Sequence, residues 1–427
     1  MKSRKGTRAA AAVLAILALT ATACSTKDDD KDTTSPPGSP GAPGQVKTGQ
    51  GVSDTEIRVG ELSDMSGPYA PLGQSVTQAE ALYFEQLNAQ GGVCGRKVVL
   101  DAKDHGYDPQ KARTQYTEMA DKVVGISQLV GSAIVTQLQD QIESKGILTL
   151  PQAWASTLLG KKVIQVTSTT YDIEMINGFS YLVKSANLQP GDKVGHIYSD
   201  DEFGANSVAG SKFAAQAAGM SIVEQKIKPT DQDMSAAVTA LKSAGVKAII
   251  VGASPRQVGP IMSFTEASGF KVPVLAHSVG FHPQLLAIPG AAAVMESRLL
   301  IASPVPSINT DNPYLTKLVA DYQAKYPGKP IDQGVLSGYT TADIFAAALK
   351  AACKAGDLTP QGIVNAHRTN TSLQLGFGAT LDFSSPDKPP TYNTYILKVD
   401  KSKPSGLTTV EQGFESAQAK QYQLPKA

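Results

Sequence analysis

The sequence predicts an α/β protein with mainly parallel sheets, arranged as two similar halves. Three observations carry this. From residue 56 onward, short apolar strands alternate with segments of helical period, which is the mark of βαβ units. The rhythm pauses near residues 166–171 and restarts near residue 194. The chain has 427 residues, too many for a single hydrophobic core.

The first 23 residues read as a targeting segment that precedes the fold. Lys2, Arg4, Lys5 and Arg8 make a basic start, and residues 9–19 form an apolar run too short to cross a bilayer. The following Ala21-Thr22-Ala23-Cys24 resembles a bacterial lipobox, with Ala21 where leucine is usual. Cleavage before Cys24 and lipidation of Cys24 are therefore expected. Residues 24–53 carry Asp, Lys, Thr, Ser, Pro and Gly with almost no large apolar side chain, so they read as a disordered tether.

The regular pattern then begins. Residues 57–62 read as a strand, followed by the turn Ser63-Asp64-Met65-Ser66-Gly67-Pro68-Tyr69. Val76, Ala79, Tyr83 and Leu87 recur at helical spacing up to Gly91-Gly92, a helix stop. Residues 97–101 make a second strand. Asp108 as N-cap and Pro109 at the first position open the next helix. Residues 126–130 form a strand that runs through Gly131-Ser132-Ala133 into a helix, with another strand at 147–150. That turn sets a serine hydroxyl and free backbone N–H groups at a helix N-terminus, which suits a carboxylate or another acceptor. Residues 166–171 read as a crossing between lobes. Strands follow at 194–198, 222–226, 248–251, 274–276 and 299–302, with helices at 208–217, 234–244 and 258–267 between them. Pro304 and Pro306 mark a second crossing, helices follow at 314–326 and 338–352, and 392–399 is the last strand.

Several function classes fall away. Formal net charge is +1 and charged residues are 18%, so no nucleic-acid or membrane-surface partner is implied. His105, His196, His277, His282 and His367 show no metal-ligand spacing and read as chance surface or cleft residues. No nucleophile elbow, phosphate loop or complete dinucleotide fingerprint is present. The sequence therefore points away from an enzyme, with no metal and no cofactor. Setting Cys24 aside leaves Cys94 and Cys353, in an exported protein either a disulfide or two free thiols.

Particular motifs carry a resemblance. Ser63-Asp64-Met65-Ser66-Gly67-Pro68, Leu87-Asn88-Ala89-Gln90-Gly91-Gly92-Val93, Tyr107-Asp108-Pro109, Gly146-Ile147-Leu148 before Pro151, and Phe203-Gly204 resemble the leucine/isoleucine/valine-type periplasmic binding proteins over roughly residues 56–400. The resemblance implies two Rossmann-like lobes joined by three crossovers, closing like a hinge on a ligand between them. Residues 54–170 and 305–381 would form the N-terminal lobe, and 171–304 and 382–427 the C-terminal lobe. It also implies a monomeric lipoprotein, anchored through Cys24 on the outer face of the cell membrane, that hands a small solute to the permease of an ATP-binding-cassette importer. A sensor of the same fold that feeds a signalling partner is the alternative. Cys94 and Cys353 would bond to each other, since the helix ending at Cys353 returns to the first lobe in this family.

The expected ligand contacts follow from the same resemblance. Ser132 falls where the family's serine holds the ligand carboxylate. Gln152 and Trp154 fall on a second carboxylate loop, with Trp154 replacing a small hydroxyl residue by a flat apolar surface. Phe203 matches an aromatic before glycine. Ser254 stands where amino-acid binders carry tyrosine, and Ser278 where they carry the glutamate that pairs with the ligand ammonium. Tyr69 and Leu72, beside the first turn, complete the set. Two ligands stay open: an amino acid with an unconventional ammonium partner, or an acid, amide or aromatic compound without an ammonium. The missing glutamate favours the second, because an unpaired buried ammonium costs several kcal/mol.

Overall fold

The computed structural model describes residues 46–425; the targeting segment, Cys24 and the tether as far as residue 45 lie outside them. The first half builds strands β1 (Glu56–Ser63), β2 (Lys97–Asp104), β3 (Ile126–Val130) and β4 (Thr149–Gln152), with helices α1 (Ala70–Ala89), α2 (Pro109–Met119) and α3 (Ser132–Lys145) between them. Their sheet is parallel, in the order β2-β1-β3-β4.

The chain then crosses to a second sheet. Its elements are α4 (Tyr171–Ser185), β5 (Lys193–Ser199), α5 (Glu202–Ala217), β6 (Ser221–Ile227), α6 (Ser235–Ser243), β7 (Ala248–Gly252), α7 (Pro255–Ala267), β8 (Val274–His277), α8 (Ala291–Arg298) and β9 (Leu299–Ser303). It returns to the first lobe as α9 (Pro313–Lys325), α10 (Gln333–Lys354) and α11 (Pro360–His367), and crosses again to add β10 (Thr394–Val399) and β11 (Leu407–Phe414). The second sheet runs β11-β10-β9-β8-β7-β5-β6, parallel except for the two last-added strands. Three crossovers thus join two α/β lobes.

Burial explains the strand patterns. In β7 every side chain is buried, and successive residues face opposite ways: Ile249 and Val251 join one core with Ile197 and Leu397, whereas Ile250 joins another with Phe179 and Leu275. Both faces of the sheet are covered by helices, so its central strands are continuous apolar runs. In the first lobe Ile57, Val59 and Leu129 pack with Phe345 and Leu349 of α10.

The structure departs from the sequence reading in particular places. Helix α4 was not expected; Tyr171 to Phe179 are buried one after another, so it lacks the polar stripe that reveals a helix. Helices α8 and α11 are only eight residues each, and α10 begins earlier than expected, capped by Asp332. Strand β11, beyond the expected last strand, lies on an edge with a mostly half-buried pattern. Strand β4 takes in Pro151, which an edge strand tolerates because its missing N–H costs no ladder bond. Residues 46–53, read as tether, are tied down instead. Lys47–Thr48 pairs in parallel with Asp357–Leu358, and the Gln50 amide donates to the Ala120 and Val123 carbonyls, each at 2.8 Å. These bonds are made by backbone and one amide, so apolar content gave no sign of them. Cys94 and Cys353 are disulfide-bonded, with Cα atoms 5.9 Å apart.

Candidate functional site

Strand order reverses between β1 and β3 in the first sheet and between β5 and β7 in the second, and ligands of open α/β sheets bind at such points beyond the carboxyl ends of strands. A cleft opens there. Tyr69 and Leu72 come from the turn after β1 and the start of α1, Ser132 follows β3, Gln152 ends β4 and Trp154 follows it, Phe203 follows β5, and Ser278 follows β8. The cleft holds about 740 Å³ of space between atoms, its mouth included.

Local chemistry fixes these loops. The Asp64 carboxylate accepts the backbone N–H of Gly67 and of Tyr69 (2.8 Å), while Asp104 accepts from Met65 N–H (2.9 Å) and the Ser66 hydroxyl (2.7 Å). The motif read after β1 is therefore a turn folded around two carboxylates. Gly73 lets α1 approach it; a Cβ there would meet the Asp64 carbonyl at 1.9 Å. Gly131 turns β3 into α3 with φ of 103°, a conformation that side chains resist, and the Tyr107 ring lies against it. The first intrahelical bond of α3 is Val135 N–H to the Gly131 carbonyl, which leaves the N–H groups of Ser132, Ala133 and Ile134 outside the helical ladder and turned to the N-terminal end.

The walls are aromatic and neutral. Trp154 and Tyr171 rings lie 5.7 Å apart, Tyr171 and Phe203 4.7 Å, and Tyr69 and Tyr107 5.2 Å. Leu72, Val76, Val279 and Val305 add aliphatic surface. Among the described residues, no Lys, Arg, Asp, Glu or His lines the cleft. Burial pushes the Tyr171 phenol up, opposed by hydrogen bonds to the Ser132 side chain and the Trp154 backbone. Gln152 is already engaged, its Nε2 donating to Ser337 Oγ at 2.9 Å and Thr341 Oγ1 at 3.2 Å.

Seven of the eight residues proposed from sequence line this cleft: Tyr69, Leu72, Ser132, Gln152, Trp154, Phe203 and Ser278. Ser254 does not. It caps α7, its N–H and hydroxyl both donating to Gln257 Oε1 at 3.1 Å, so its polar groups are spent on the helix end. Asp200, Asp201 and Glu202, in the turn after β5, do not line the cleft either and have partners elsewhere. Asp200 pairs with Lys226 at 3.0 Å, Asp201 accepts Gly204 N–H at 3.0 Å, and Glu202 accepts the Thr157 hydroxyl at 2.6 Å.

Tyr107, Tyr171 and Gln333 also line the cleft and were not anticipated. Tyr107 stood in a motif read only as a helix start, and Tyr171 in a segment read as a crossing. Gln333 comes from α10, some 180 residues away from Trp154 in sequence, and no local pattern marks it. The histidines also depart from expectation, since all five are buried. His277 bridges Glu174 Oε1 (2.6 Å) and Ser207 Oγ (2.7 Å) behind Tyr171 and Phe203. Ser207 is fully covered, and this Glu–His–Ser chain backs the aromatic wall.

Comparison with known proteins agrees with this architecture. The periplasmic binding protein family profile matches residues 56–404. A structure described as a fatty acid ABC transporter substrate-binding protein from Thermomonospora curvata is 43% identical, covers 89% of this chain and 97% of its own, and superposes with a TM-score of 0.87. A branched-chain amino acid ABC transporter protein from Thermus thermophilus with bound valine shares the fold at 19% identity, covering 87% and 99% of the two chains with a TM-score of 0.76. The Leu/Ile/Val-binding protein homolog 3 of Brucella melitensis is 24% identical over 82% of this chain and 94% of its own length.

Proposed function

The chain belongs to the periplasmic binding protein family, and from that membership we propose that it captures a monocarboxylic acid with an apolar body and delivers it to an ABC importer. The observation that carries this is the cleft wall, which is aromatic and aliphatic and holds no charged side chain. An amino acid would bring an ammonium group with no anionic partner, at a cost of several kcal/mol. A carboxylate needs only N–H and O–H donors. The Ala133 N–H at the start of α3 is taken by the Tyr107 phenol, but the Ser132 and Ile134 N–H groups and the Ser132 and Ser278 hydroxyls supply them, so both serines are assigned to the ligand's polar end. Trp154, Phe203, Tyr69 and Leu72 are assigned to its apolar body, with Gln152 positioning the loop between. The relative from Thermomonospora curvata, described as a fatty acid binder, supports the same ligand class.

In this reading the protein works as an extracytoplasmic monomer. Cys24 carries the lipid and the following segment sets the folded body off the membrane. The Cys94–Cys353 disulfide suits that oxidising location. Trp154 is the chain's single tryptophan and lines the cleft, so its fluorescence reports binding directly. Titration with octanoate, benzoate and leucine should give saturable changes with the first two and none with leucine. Tight leucine binding would overturn the reading. Loss of labelled acid uptake on deletion of the gene would assign the protein to import; unchanged uptake would assign it to sensing.

A further inference from the structure

Beside the cleft lies a small cavity, with about 30 Å³ open to water-sized groups. One such group needs about 10–15 Å³ of this space, so the cavity takes one or two of them and no chain. Trp154, Pro304, Val305 and Ser337 line both the cavity and the cleft. More than half of the side chains around the cavity carry a hydroxyl or an amide, among them Thr167 and Asn393 on the crossovers. Among the described residues, no charged side chain lines it. It is therefore a polar, neutral recess.

Two groups on its wall are unspent. Trp154 is 5% exposed and Thr340 7%, yet the indole N–H and the Thr340 hydroxyl have no partner among the described residues. Groups next to them do. The Thr341 hydroxyl donates to the Ser337 carbonyl at 3.0 Å, and the Trp154 carbonyl accepts the Tyr171 N–H at 2.9 Å. A buried indole N–H usually finds a hydrogen-bond partner, and leaving one unmade is costly. Ser132 and Ser278, assigned above to the carboxylate, line the cleft and not the cavity.

We propose that the Trp154 N–H and the Thr340 hydroxyl bind a neutral oxygen on the ligand, so that the preferred solute is an oxygenated monocarboxylic acid with a hydroxyl or keto group away from its carboxylate. The inference rests on the apolar-acid reading above and adds a second polar point to it. A second carboxylate would be buried here without a cationic partner. A neutral oxygen accepts the indole proton, meets the threonine hydroxyl and brings no charge to bury. A site that hydrogen-bonds a substrate oxygen discriminates against the analogue lacking it, which makes Thr340 a specificity residue.

The test is calorimetric titration of the delipidated protein with alkanoates from butanoate to decanoate, each paired with its ω-hydroxy form. The series carries the oxygen to successive depths. Buried without a partner, the added hydroxyl weakens binding at every length. With both partners present, at least one hydroxy acid should bind about three- to tenfold tighter than its parent. Thr340→Val keeps the shape and removes the hydroxyl. It should weaken that hydroxy acid by about threefold or more and leave the parent acid unchanged, whereas Thr340→Ser should keep the gain. The oxygen site alone is overturned if no hydroxy acid exceeds its parent in the native protein, or if Thr340→Val keeps the whole gain, because resident water then serves the two groups. Equal weakening of parent and hydroxy acid by Thr340→Val, or loss of the gain in Thr340→Ser, overturns it as well. If no acid binds, hydroxylated or not, the functional reading falls and the oxygen site with it.

Discussion

At one end of the cleft, the Tyr171 phenol reaches the Trp154 backbone and the Ser132 side chain, the second of which a ligand carboxylate was expected to use. Ser132→Ala should therefore weaken acid binding by about tenfold or more, as a hydrogen bond to a charged group is lost, and the titration of Trp154 fluorescence measures it. Deeper in the first lobe, Glu61 and Glu80 are buried together, with the Glu80 carboxylate taking the Ser127 hydroxyl and Glu61 the Thr77 hydroxyl. Burial raises Glu61 to about 7 and Glu80 well above its ordinary value. Folded-state values above the unfolded ones mean that the pair stabilises the fold fully below about pH 4.5, and that this contribution is lost as pH rises through about 7. His367 has the opposite sign. Burial lowers it to about 3, so its contribution is present above about pH 6.5 and fades as pH falls toward 3. Above about pH 6.5, where the buried histidine adds nothing further, the melting temperature should decline toward pH 8.5, and Glu80→Gln should flatten that decline; parallel curves for the two proteins would show that the pair does not set it. None of this was legible in the sequence. A buried Glu or His reads like a surface one until the chain that covers it is known.

The elements were easier to read than the residues, where they carry their own punctuation. Asp108 with Pro109 announced α2, and in the structure the Asp108 carboxylate accepts from Gln110 N–H at 2.8 Å. Gly131-Ser132 announced the β3 to α3 turn that forms half of the site. Helix α4 went unread because its burial removes the polar face, and β11 because an edge strand leaves its apolar alternation incomplete. The disulfide acts at this scale. Cys94, in the turn between α1 and β2, holds the end of α10, the helix that packs on α1 and supplies Ser337 to the cleft. Replacing both cysteines by serine should cost about 2–5 kcal/mol of stability. Denaturant unfolding of the native protein with and without reductant should show the same loss. Equal midpoints would mean that the bridge contributes nothing.

Across the whole molecule, buried contacts tie the lobes together, among them Asn206 Nδ2 to Ser156 Oγ at 2.7 Å and a pair at the start of α10. His282 follows β8 in the second lobe, and its Nε2 lies 2.9 Å from Asp332 Oδ2 at the start of α10 in the first. Asp332 also accepts the Ser75 hydroxyl (2.7 Å) and Val335 N–H (3.1 Å). Removing one partner of a buried hydrogen bond costs about 1–3 kcal/mol, but only while the lobes are together. His282→Ala should therefore shift the protein toward an open form, seen as a larger radius of gyration in small-angle scattering. Acid affinity should fall by the fraction of closed protein lost; unchanged scattering and affinity would remove the contact from the closure energy. By itself the sequence determined the α/β rhythm, the parallel sheets, the family resemblance and the loops that carry Ser132 and Trp154, because periodicity, caps and turn residues act over a few positions. Only the tertiary structure decided that Ser254 spends its hydroxyl on a helix cap and that Tyr107, Tyr171 and Gln333 complete the wall. It also decided that, among the described residues, no charged side chain lines the cleft. These outcomes depend on which distant segments meet, and the electrostatics of a cleft belong to all of its walls at once.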